Sequence, residues 1–201
     1  MIFLVCVVLF HFGNAAMLPM AGQVLAKTHP DADIIALSAC IITAQLVMIG
    51  VAATVGWAMR KGVGRKTIFL VAFVTLPIRG FLFTLTDSPF GVVAIQLLDG
   101  VGAGIFGVIS IIIAADLMRG TGRFNFAQGL VALSTGLGAG ASNLLSGFVV
   151  QIFGYTTGFI TLAVIALGGL IFFALMMPET NQDESPPLES PQGDTLAQKP
   201  A

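Results

Sequence analysis

Charge is what this sequence has least of. Only 9% of its 201 residues are charged, where a soluble domain carries about a quarter. Such a chain cannot cover its own surface with polar groups, so a freely soluble domain is excluded. Cysteine is scarce too: Cys6 and Cys40 both lie in apolar runs, which excludes a disulfide framework and a cysteine metal centre. With two histidines and no ligand-spaced cluster, no metal and no cofactor is expected. A net charge of −1 gives no attraction to nucleic acid. Residues 1–26 lack the basic start of a cleavable signal, and their apolar run is too long for a signal core.

What is present is length without charge. No charged residue occurs in the first 26 positions, nor from Ile34 to Met59, and 55 uncharged residues run from Phe124 to Pro178. A helix crossing a bilayer needs about 20 apolar residues, so the last run holds two crossings and a turn. Every backbone N–H and C=O must be satisfied within its own segment in lipid, which leaves helices as the open-ended choice. The chain therefore reads as an all-α membrane protein with six transmembrane helices over 1–177. The predicted spans are about 2–26, 34–59, 67–85, 89–115, 126–152 and 155–177. Between them lie "KTHPDAD", "RKGVGRK", "TDSP", "DLMRGTGRFN" and "FGY".

Basic residues orient the bundle. Arg60, Lys61, Arg65, Lys66, Arg119 and Arg123 fall in the loops after spans two and four, against Lys27 alone in the other three. Six against one places those loops and both termini in the cytoplasm, with the plasma (inner) membrane as the expected location. Residues 178–201 hold five prolines and five acidic side chains with little to pack. They read as a disordered, acidic, proline-rich cytoplasmic tail.

The stretch "LDGVGAGIFG" carries Gly102, Gly104 and Gly107 in the spacing G-x-G-x-x-G. A nucleotide loop needs a preceding strand and access to water. Here the glycines fall inside the fourth span, about 15 to 25 Å below its outer end. In lipid, helices associate by close backbone approach, which small residues permit. Gly100, Gly102, Gly104 and Gly107, with Gly136 and Gly140 of "STGLGAGAS", are therefore expected to be helix-packing glycines.

Two charges stand inside predicted spans, and each costs a few kcal/mol near the bilayer centre if left alone. Arg79 lies about 9 Å below the outer end of span three and Asp99 about 15 Å below that of span four. The connection is short and an arginine side chain covers the difference, so an intramembrane Arg79–Asp99 ion pair is expected, or a shared polar network that includes Gln96, one turn from Asp99. The alternative is that Arg79 reaches the outer interface and Asp99 is hydrated in a cavity. His11 and Asn14 share a face of span one at i and i+3, and Pro19 follows to kink that helix. Asp99 and His11 are the candidates for proton coupling, since an imidazole titrates near neutrality. Gln45, Asn143 and Ser146 serve either as helix glue or as cavity lining.

"GWAMRKGVGRK", Gly56 to Lys66, resembles the signature loop of the major facilitator superfamily, G-x-x-x-D-[RK]-x-G-[RK]-[RK]. Gly56, Lys61, Gly64, Arg65 and Lys66 have counterparts there. Arg60 stands where the family has aspartate, and the second glycine comes one residue late. "SGFVVQIFGYTTGF" is similar to the passage between the last two helices of that superfamily, with Gly154 and Tyr155 at the turn. "DLMRGTGRFNFAQG" is similar to its cytoplasmic loop before the penultimate helix. The resemblance implies the C-terminal six-helix half, a bundle of inverted three-helix repeats. It also implies that spans one and four line the central cavity, with His11, Asn14, Gln96 and Asp99 facing a small-molecule substrate. Spans two and five would then form the interface between halves.

The expected function is transport of a small solute by alternating access, as half of a secondary transporter. The alternative is a truncated or non-transporting membrane protein that packs with another half. The apolar run opening at Met1 without a cytoplasmic lead-in leads to the expectation of a shortened chain. The expected partners are the bilayer, the substrate, and a second six-helix half or a second copy. An intramembrane serine protease built on Ser142 of "GAGAS" is excluded, because its histidine base comes from a later helix and both histidines precede Ser142. No catalytic residue is expected.

Overall fold

The computed structural model describes residues 1–180. Six helices follow in order: α1 (Ile2–Asn14), α2 (Met17–Thr28), α3 (Asp33–Arg60), α4 (Arg65–Leu82), α5 (Pro89–Leu117) and α6 (Phe124–Met176). Among the described residues, four helical stretches are long and apolar enough to cross a membrane: 2–28, 33–60, 89–117 and 124–176.

The predicted first span is broken. Pro19 lacks an N–H and its ring clashes with the carbonyl four residues back, which is that of Ala15. The break falls there, with Ala15 and Ala16 in a turn between α1 and α2. The N–H of Ala16 turns aside and donates to Ser142 Oγ of α6 at 3.1 Å, in a fully buried setting.

Helix ends follow local chemistry. α3 closes on Gly62, whose φ of 79° suits glycine alone. The N–H of Gly62 bonds Met59 O at 3.0 Å and that of Val63 bonds Ala58 O at 3.1 Å, the paired closure of a Schellman end. α5 opens on Ser88, whose Oγ accepts the Gly91 N–H, with Pro89 in the first helical position. α6 has 53 residues, about 80 Å at 1.5 Å per residue and more than twice a hydrocarbon core. Gly154 interrupts it at φ 84°, ψ 172°. The two arms fold back around α1: Gly138 on the first arm meets the backbone of Val8, while Gly169 on the second meets Leu9.

α1 packs along α6, α3 along α5, and α4 between α5 and α6. One core cluster is aromatic, with Phe73 stacked on Phe173 at 4.6 Å and Phe10 on Phe106 at 4.8 Å. Lipid tails are as apolar as leucine, so such contacts hold by packing and ring geometry rather than by escape from water. A second cluster gathers Met17, Met20 and Leu25 of α2 against Phe83 and Phe159.

The glycines divide in two. Added Cβ atoms at Gly100 and Gly104 would meet Val47 at 2.5 Å and Val51 at 3.0 Å of α3, and at Gly102 Thr75 Oγ1 of α4 at 2.7 Å. Gly107, Gly136 and Gly140 meet nothing within 4 Å among the described residues, so no helix of this chain packs closely on them. Gly138, between the last two, turns its bare face to α1 instead. The tail is corrected at its start: Glu179 and Thr180 rest against α4, with Thr180 8% exposed. The rest of the predicted disordered tail lies outside the described residues.

Ser142→Ala leaves the buried Ala16 N–H without its acceptor and lowers stability by about 1 to 3 kcal/mol. Thermal unfolding in detergent reads the loss, and an unchanged midpoint would show that the break between α1 and α2 does not need this bond.

Candidate functional site

The buried polar centre is built around Arg79, the largest fully buried side chain, at 1% exposure. Its position follows from the local sequence. Pro77 weakens the ladder of α4 one turn earlier. Gly80 then leaves room for Met17 and Ala163, which an added Cβ would meet at 2.8 and 2.9 Å. The helix therefore presses inward and carries the guanidinium with it.

Arg79 Nη1 lies 2.7 Å from Asp99 Oδ1 of α5 and also donates to Asn14 Oδ1, at the last residue of α1. The guanidinium carbon sits 5.6 Å over the ring of Phe83. Three helices thus meet at one cation. The Asp99 carboxylate is 18% exposed, so the pair is enclosed on the arginine side and open on the other. Gly100 lies beside it and admits α3, since a Cβ there would reach Ala44 O at 2.7 Å.

The four residues expected to face substrate have different surroundings. Asn14 and Asp99 join Arg79. Gln96 is fully buried, and neither amide atom has a hydrogen-bond partner among the described residues. It is enclosed in this conformation and lines no open cavity. The His11 ring packs edge-on against Phe106 at 4.7 Å, with Nε2 unpartnered among the described residues. It belongs to the aromatic cluster rather than to the ion pair.

A second polar group stands at the end bearing the basic loops. The Glu179 carboxylate accepts the backbone N–H of Arg65 at 3.0 Å and of Lys66 at 3.2 Å, capping α4 from beyond α6. A Cβ at Gly64 would meet that carboxylate, so a larger residue there would make the Glu179 side chain shift. Arg65 Nη1 pairs with Asp116 Oδ2 at 2.8 Å and donates to Thr180 O at 3.2 Å. Arg119 pairs with the other Asp116 oxygen at 3.1 Å. Of the five signature-loop residues, the structure brings Gly64, Arg65 and Lys66 into this group, while Lys61 is exposed and Gly56 lies near Arg60 alone. Asp116 and Glu179 escaped sequence reasoning. Asp116 had a signal, as the acidic residue in an otherwise basic loop.

The sequence signature described as Major Facilitator Superfamily matches residues 3–200. The chain belongs to that superfamily and is an integral membrane protein. It is similar to two uncharacterized MFS-type transporters from two strains of Mycobacterium tuberculosis. Each is 46% identical over 179 residues, 89% of this chain and 43% of the relative. The chain thus spans less than half the length of the curated relatives it matches. No solved structure matches it.

Removing one member of a buried ion pair strands the other charge. Asp99→Leu is expected to cost about 3 to 5 kcal/mol, and Arg79→Leu with Asp99→Leu together much less than the two summed. Unfolding midpoints of the four chains in detergent measure the coupling; additive losses would mean that the pair contributes nothing.

Proposed function

We propose that this chain forms the C-terminal half of a secondary transporter that moves a small solute by alternating access. In this reading α1 with α2, α3, α4, α5 and the two arms of α6 make six crossings, with both termini in the cytoplasm of the plasma (inner) membrane. The observation that carries it is the knot of Arg79, Asp99 and Asn14. An ionisable pair inside apolar helices is a functional mark by default, and a first span interrupted at membrane depth is the form in which transporters expose backbone to a site. The knot joins the two spans that the superfamily resemblance assigns to the cavity.

The partner is a second six-helix half or a second copy. Supporting this, α3 exposes Ile42, Leu46 and Ile49, and the first arm of α6 exposes Leu133, Leu137 and Leu144 beside the uncrowded Gly136 and Gly140. Those two helices are the ones assigned to the interface between halves. Proton coupling belongs to the same reading, with Asp99 and His11 as its candidates. The alternative is a half that packs with another half without transporting.

Reporter fusions after Lys61 and Arg119 are expected to report the cytoplasm, and fusions after Lys27 and Thr86 the opposite side. Lys61 and Arg119 on opposite sides would overturn the topology. Gly140→Cys, which meets no neighbour within the chain, is expected to crosslink to a second polypeptide in native membranes. An uncrosslinked monomer would remove the two-half assembly and alternating access with it.

A further inference from the structure

Polar side chains are rare in these helices, so their convergence carries information. Residues 1–180 contain eight side-chain amides. Three of them, Gln23, Asn143 and Gln151, line one groove of about 560 Å³ between α2 and the first arm of α6. The register explains how. Gln23 and Lys27 are one turn apart on α2, while Asn143, Gly147 and Gln151 repeat every four residues on α6. The volume lies in the range of small-molecule sites.

Lys27 gives the groove its sign. It is the only lysine or arginine in the connections outside the two basic loops. None of the ion pairs among the described residues involves it. Its ammonium sits 4.7 Å over the Tyr155 ring, and the Tyr155 hydroxyl donates to Gln23 Oε1 at 3.1 Å. The lysine is thus steadied by an aromatic face, not neutralised by a carboxylate. Pro19, Met20 and Val150 add an apolar wall.

We propose that this groove binds a small organic carboxylate, with Lys27 pairing the anionic group and the amides hydrogen-bonding a polar skeleton. The inference rests on the transporter reading above and names the chemical class of its solute. An ammonium beside a ring and several amides suits a carboxylate attached to hydroxyl- or carbonyl-bearing carbons. The site is separate from the Arg79–Asp99 pair, whose guanidinium is already engaged.

The test needs no transport assay. Gly147 lines the groove and has no neighbour within 4 Å of an added Cβ, so Gly147→Cys places a thiol there without crowding. The full chain is reconstituted in phosphatidylcholine nanodiscs, and labelling by a neutral methanethiosulfonate is timed. The unsubstituted chain controls for the buried Cys6 and Cys40. Millimolar lactate, citrate, gluconate and benzoate are compared with their uncharged amides. At least one carboxylate is expected to slow labelling about tenfold at ten times its Kd, while its amide does not. Lys27→Gln is expected to abolish that protection, read as the ratio of unliganded to liganded rate within each chain because a neighbouring ammonium alters thiol reactivity, and Lys27→Arg to retain it. Protection equal for acids and amides, or persisting in Lys27→Gln, would overturn the proposal. So would protection that appears only when anionic phospholipid is added, which would make the groove a lipid headgroup site. Protection with a failed crosslink at Gly140 would keep the site and remove only the transporter reading.

Discussion

A guanidinium that cannot reach water has to be satisfied by the protein around it. Arg79 is that group, and much of the bundle follows from it. Asp99 supplies the countercharge from α5, and Asn14 supplies a carbonyl from the end of α1. Asn14 is available because the first span stops there, and it stops because Pro19 cannot let the ladder run through Ala15. The stop frees the Ala16 N–H, which Ser142 of α6 takes up. One buried cation thus connects α1, α4 and α5, and the break beside it reaches α6.

Close approach is the second condition. Helices in lipid gain nothing by hiding apolar side chains from lipid, so backbone proximity and short-range packing must hold them. α5 meets this with three glycines that face two ways. Gly100 and Gly104, one turn apart, admit α3, and Gly102 on another face admits α4. The same stretch holds Asp99, so the residues that bring the helices together also fix the depth at which the carboxylate stands. A side chain larger than hydrogen at Gly102 would push α4 away and lengthen the distance to Arg79.

The approach of Arg79 to Asp99 was legible in the sequence because depth along a helix is a ruler, 1.5 Å per residue, and the connection was too short to misalign it. The break in the first span was half legible: Pro19 announced a disturbance, but its placement four residues earlier depends on where the ring collides. Helical phase was not legible. Gly136, Gly138 and Gly140 look alike in sequence, yet only Gly138 faces α1, and the face is chosen by packing partners rather than by spacing. The cap on α4 was hidden for another reason. Glu179 lies more than 110 residues from the N–H groups it accepts, and no local rule for helix starts reaches that far.

The two ends of the bundle are held by different chemistry, and this matters for any motion between them. At one end Asp116 takes two arginines and Glu179 caps a helix, a set of charge-assisted contacts joining α4, α5 and the segment after α6. At the other end α2 is tied to α6 by one tyrosine hydroxyl, one ring beneath an ammonium and the apolar packing of Met17, Met20 and Leu25 with Phe159, next to the bond from Ala16 to Ser142. Neutral hydrogen bonds are about half as strong as charge-assisted ones, so the polar ties of α2 are the weaker set. This helix is also already separated from α1 by a turn. Movement of the later turns of α2 would open or close the groove beside Lys27, while its first turn stays seated on α4 through Met17 against Gly80, so the knot at Arg79 need not move with it.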